Sequence, residues 1–73
     1  MPDERTTIAI GDRFEDKDWR NEGRIVQVRS YIRGYGEEYD VEVEAHPKNP
    51  EVVGRRTIVS GKTLRTRYRR ISR

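Results

Sequence analysis

Eight cations and no carboxylate occupy residues 54–73, GRRTIVSGKTLRTRYRRISR: Arg55, Arg56, Lys62, Arg65, Arg67, Arg69, Arg70 and Arg73. Thirteen of the sixteen basic residues in the chain are Arg. A guanidinium forks onto phosphate oxygens and stacks on flat rings, whereas a Lys ammonium acts as a point charge. The bias therefore suits recognition of an anionic partner better than mere solubility. Ile58, Val59, Leu64, Tyr68 and Ile71 punctuate the segment, so it reads as folded structure and not as a basic arm. Residues 1–53 hold eight Lys/Arg against thirteen Asp/Glu, so the chain is polarised, acidic first and basic last. That polarity has two readings. The basic face is free to meet a partner, or the two halves pair across neighbouring strands, with Arg56 or Arg67 facing Asp40, Glu42 or Glu44.

Aromatic residues extend the first reading. Trp19, Tyr31 and Tyr35 lie in or beside expected loops, where a ring can stack on an unpaired base. Tyr39 and Tyr68 fit a core better, and Trp19 suits either a stacking surface or a plug at the end of the fold. Gly61-Lys62-Thr63 matches the tail of a phosphate-binding loop, but the glycine required five residues upstream is Arg56, and too little chain follows for the helix. Asp12, Glu15, Asp16 and Asp18 lack the spacing, central Gly and closing Glu of a calcium loop, and read as a solvated acidic loop. His46 is the single histidine and there is no Cys, so neither a multi-His nor a thiolate metal site can be assembled. Ser30, Ser60 and Ser72 have only that loop histidine as a base, which leaves no catalytic team. No enzyme activity, metal or cofactor is expected.

Seventy-three residues make one domain with a small core, since a chain of this size buries only about 60% of its unfolded surface. Charged residues make up 40% and apolar residues 32%, yet the apolar ones are grouped and periodic. The absence of Cys makes a reducing cytosol the compatible setting. No apolar run reaches signal-peptide length or the roughly twenty residues of a membrane span. The expectation is a soluble cytoplasmic domain over residues 8–73, preceded by a loose N-terminus at residues 1–7.

The elements that must position these residues follow from periodicity. Gly11-Asp12 marks a turn, with a first strand starting at Arg13 or Phe14. EDKDWRNEGR is too polar for a strand and joins it to the second, ending in a turn at Asn21, Glu22 and Gly23. RIVQVRSYI, Arg24 to Ile32, is the second strand, with Val26, Val28 and Ile32 on one face and Gln27, Arg29 and Tyr31 on the other. Arg33-Gly34-Tyr35-Gly36 is a hairpin loop whose two glycines supply positive φ. From Glu38 to Ala45 alternation is strict: Tyr39, Val41, Val43 and Ala45 face one way, Asp40, Glu42 and Glu44 the other. Pro47 and Pro50 end that strand. GRRTIVS forms a fourth strand, Ser60 caps a short helical turn plugged by Leu64, and Tyr68 to Ile71 closes the sheet. On this reading Arg65, Arg67 and Arg69 form one row of alternate strand residues, and Arg55 joins them if the fourth and fifth strands are neighbours.

Five short strands, a long first loop, a tight second hairpin and a helical turn before the last strand give an all-β, five-stranded antiparallel barrel. That order and the SGKTL turn resemble the SH3-like barrels, the group that includes Tudor-type and KOW-type domains. GDRFEDKDWRNEGRIVQV with the later RYRRI is similar to small proteins of actinobacteria and their phages, a resemblance that carries no activity with it. An OB-type barrel is the alternative, but no helix sits where that fold needs one. The expected function is non-enzymatic binding of DNA or RNA through Arg55, Arg56, Lys62, Arg65, Arg67, Arg69 and Arg70, with Tyr31, Tyr35 and Trp19 as stacking surfaces. The alternative is a protein-interaction barrel that docks an acidic partner or pairs with itself through a sheet edge.

Overall fold

The computed structural model describes residues 7–34 and 36–72 of the chain. The expectations for residues 1–6, and for Tyr35 and Arg73, lie outside the described residues. Five antiparallel strands form one curled sheet: β1 (Arg13–Asp16), β2 (Ile25–Ile32), β3 (Glu38–Ala45), β4 (Arg56–Ser60) and β5 (Tyr68–Ser72). A helix, α1 (Gly61–Arg67), joins β4 to β5, and single 3-10 turns occupy Trp19–Asn21 and Pro50–Val52. The spatial order is β4-β3-β2-β1-β5, so the sheet curls into a half-barrel with β4 and β5 at its two edges.

The strict alternation of β3 becomes its burial pattern. Tyr39, Val41 and Val43 face the core with Val26 and Val28 of β2, Phe14 of β1, and Leu64 and Tyr68. Val26, Val28, Val41 and Leu64 are fully buried, and each such side chain contributes about 1.5 to 3 kcal/mol of hydrophobic stabilisation. The core of Tyr39 and Tyr68, the Leu64 plug and the Ser60 cap are all as the sequence implies. The Ser60 hydroxyl accepts the Thr63 N–H at 3.1 Å. Gly23, at φ +85°, makes the turn into β2, and a Cβ there would also run into the Pro47 ring at 2.8 Å.

Four local expectations are corrected. The helical turn does not stop at Leu64 but continues to Arg67, because only a second turn brings Leu64 and Tyr68, four residues apart, under the same sheet. In β2 the register shifts between Val28 and Ser30, so Tyr31 sits opposite Tyr39 and shares its face at the end of the sheet, edge-on to it at 5.4 Å and still half-exposed. In the β2–β3 hairpin Gly36 takes positive φ, at +110°, and Gly34 does not. The acidic stretch is not a solvated loop: Asp12 is buried, and the Asp16 side chain is only 8% exposed.

Candidate nucleic-acid interface

Residues 54–72 do not present a single basic face. β4 and β5 lie at opposite edges, so Arg55 cannot share a surface with β5 through strand pairing. Arg65 and Arg67 belong to α1, not to a strand row with Arg69.

Cross-strand partners account for most of the strand arginines. Arg56 meets Asp40 at 3.0 Å and Glu42 at 3.5 Å, both on β3, which is the pairing the alternation allowed. Arg69 on β5 meets Glu15 on β1 at 2.8 Å, its Cα partner in the register. Arg70, 15% exposed, packs its guanidinium 5.6 Å over the Phe14 ring and meets the buried Asp12 carboxylate at 3.3 Å. Asp12 also accepts the Ala9 N–H at 2.9 Å, and Arg70 donates to the Thr7 carbonyl. This pair fastens the segment before β1 to the last strand. Arg65 forks onto both oxygens of Glu37 at 2.6 and 2.7 Å, while the Tyr39 hydroxyl donates to the same carboxylate at 2.5 Å. Arg65, and then Tyr39, hold the Glu37 carboxyl below the usual range, and burial together with that hydrogen bond pushes Tyr39 up to about 12.

Among the described residues, Arg33, Arg55, Lys62 and Arg67 make no side-chain hydrogen bond or ion pair. Arg67 opens onto a groove of about 570 Å³ between α1 and the segment joining β1 to β2. Lys17, Arg20 and Arg24 line the same groove, with Asp16 and Asp18 as its carboxylates. Four cations against two acids leave it positive. The two acids are also occupied. Asp16 accepts the Asp18 N–H at 2.8 Å and the Asn21 amide at 3.2 Å, with Arg24 at 3.6 Å. Asp18 caps the 3-10 turn at Trp19–Asn21, and the Arg20 side chain and backbone N–H hold its carboxyl down at about 2. Lys17 reaches the Thr66 carbonyl at 3.2 Å, which links the segment to α1. On the other side of Lys17 a second groove of about 370 Å³ is lined by Trp19 and Arg69, but also by Glu15, Asp16, Asp18 and Glu22, so that this side is acidic. Trp19 is 76% exposed and carries the Lys48 ammonium 5.7 Å from its ring centre, so it is a surface residue and not a plug.

The structure thus brings Arg67, Arg69 and Trp19 to the two grooves that flank Lys17, and separates Arg55 and Arg56 from them on β4. Tyr31 is half-exposed at the far end of β2. Lys17, Arg20 and Arg24 were missed because their stretch reads as a solvated polar loop. The available signal was an unburied Trp flanked by Lys17 and Arg20. His46 is buried, and its Nδ1 accepts the Asn49 N–H at 3.1 Å, so it closes a turn and is not a free loop side chain. Among the described residues no group of His, Cys, Asp and Glu is arranged to hold a metal ion, and no helix is long and apolar enough to cross a membrane. Compared with known proteins, the chain matches no family model, no curated protein and no solved structure.

Proposed function

We propose that this chain is a non-enzymatic nucleic-acid-binding module of the SH3-like barrel type. The observation that carries the reading is the positive groove between α1 and residues 17–24, flanked by the exposed Trp19. Arg20 is forked onto Asp18 and Arg24 lies 3.6 Å from Asp16 of β1, so the groove's uncompensated charge is that of Lys17 and Arg67, and Lys62 adds a further exposed charge on α1. Phosphates seat on Lys17, Arg20, Lys62 and Arg67, and Trp19 stacks on a base or packs at a groove edge. The strand order with a helix between the fourth and fifth strands supports the SH3-like assignment. His46, the chain's single histidine, is buried and its Nδ1 is taken by the Asn49 N–H, which supports a structural role for it.

The test is an anisotropy titration of labelled single-stranded and duplex DNA and RNA at two salt concentrations. Neutralising about four phosphates on duplex DNA gives a slope of log K against log salt of about −3.6, at about −0.9 per phosphate. Binding also quenches the fluorescence of Trp19, the chain's single tryptophan. Affinity that ignores salt, or no affinity for any of these ligands, overturns the proposal.

A further inference from the structure

The two edges of the half-barrel are defended differently. β5 is guarded: it carries Arg69 and Arg70, its register against β1 shifts between Arg13 and Phe14, and α1 runs directly into it. Long charged side chains and bulges are the ordinary means of keeping an edge strand from pairing. β4, with sequence RTIVS, also borders α1, which begins directly after Ser60, but it has one arginine and no bulge. It contains no Pro, and its register against β3 is unbroken over five residues. Its one charged side chain, Arg56, leans back over β3 onto Asp40 and Glu42 and does not shield the edge.

The backbone bonds at the two ends of the β3–β4 pairing fix which β4 groups face outward. Val43 N–H donates to the Arg55 carbonyl at 2.9 Å, and Gly61 N–H donates to the Glu37 carbonyl at 2.9 Å. Antiparallel pairs alternate between bonded and non-bonded, so Val41–Thr57 and Tyr39–Val59 are the bonded pairs between these two anchors. Arg56, Ile58 and Ser60 therefore aim their backbone groups away from β3, toward an edge with no partner strand among the described residues. Ile58 is 58% exposed at the centre of that edge.

We propose that β4 is a self-association edge, occupied by β4 of a second copy in antiparallel register about Ile58. The sequence is complementary to itself in that register alone: Ile58 faces Ile58, Thr57 faces Val59, and Arg56 faces Ser60. About four new backbone hydrogen bonds form, two between the Ile58 residues and two from Ser60 N–H to the opposite Arg56 carbonyl. The two Arg56 side chains stand four residue rises apart, about 13 Å, beyond the ~8–10 Å over which salt leaves exposed charges interacting. Each remains neutralised by its own β3 carboxylates. Two half-barrels then share one ten-stranded sheet, with β5 of each copy at its two outer edges.

Sedimentation equilibrium of the full chain tests this. A concentration-dependent rise from 8.7 kDa toward twice that mass is expected. Ile58→Pro removes an outward N–H without breaking the β3 ladder, and Ile58→Lys sets two charges against each other. Each weakens self-association by about tenfold or more, while far-ultraviolet circular dichroism stays that of the parent. The chain has no Cys, so Ile58→Cys adds a single thiol at the symmetry axis, where bonded strand partners have a Cα separation a disulfide accepts. Under mild oxidation that variant cross-links, and the matched Ile71→Cys variant on β5 does not. A chain that stays at 8.7 kDa at all concentrations, or equal cross-linking of the two cysteine variants, overturns the proposal.

Discussion

The arginines on the strands and the cations on α1 and its facing loop come from equally basic sequence and meet different fates. Arg56 and Arg69 each have a carboxylate on the strand beside them, at 3.0 and 2.8 Å, and Arg70 has Asp12, just before β1, at 3.3 Å. Lys62 and Arg67 project from a helix that no acidic strand faces, and they remain unpaired among the described residues. A sheet supplies cross-strand neighbours at fixed register, so charge placed there is consumed by the fold. Charge on a short connecting helix is left for a partner. Arg65 marks the boundary, since the chain entering β3 brings Glu37 within its reach.

If that contrast is right, removing a strand arginine lowers stability and leaves binding alone. The largest effect belongs to the buried pair. Asp12→Ala removes the buried carboxylate that Arg70 meets at 3.3 Å beside Phe14, and breaking a buried pair costs about 3 to 5 kcal/mol. A domain of this size shifts its Tm by about 4–8 °C per kcal/mol, so thermal unfolding reads the loss directly. An Asp12→Ala protein as stable as the parent breaks the comparison.

A middle-sized effect is pH-dependent. The folded Glu37 carboxyl lies below its unfolded value, so its contribution is complete above the ordinary Glu range and is lost as pH falls through the folded value. Arg65 and Glu37 are about one-third exposed, which limits the pair to about 1 kcal/mol. The stability gap between the parent and Glu37→Gln therefore narrows below a pH of about 4.3, followed by denaturant unfolding across an acid series. A gap that widens on acidification contradicts the assignment. The smallest effect is that of Arg56→Ala and Arg69→Ala, whose exposed pairs are worth about 0 to 1 kcal/mol each.

Much of this arrangement was legible in the chain. Tyr39, Val41 and Val43 alternate with Asp40, Glu42 and Glu44, and a strand with one wet face has no other way to bury them. Ser60 before Gly-Lys-Thr-Leu signalled the cap, because its hydroxyl is placed to take the Thr63 N–H. The length of α1 was not legible: Arg65, Arg67 and Arg69 at alternate positions imitate a strand face, and only the tertiary requirement on Leu64 and Tyr68 decides for helix. The bulge near Arg29 was equally hidden, since nothing in QVRSY distinguishes a shifted register from a regular one, yet it sets Tyr31 against Tyr39. The burial of Asp12 depends on Arg70, a partner 58 positions away, and local sequence cannot report it.

The central claim is that the charge of Lys62 and Arg67 on α1 is free while strand charge is spent. Two double variants with the same change in net charge separate the cases: Lys62→Ala with Arg67→Ala, and Arg56→Ala with Arg69→Ala. In an anisotropy titration against one labelled DNA at fixed salt, the account predicts that the helix pair loses most of the affinity and about two phosphates' worth of salt slope, about 1.8. The strand pair keeps both close to the parent. Equal losses from the two variants, or a larger loss from the strand pair, contradict it.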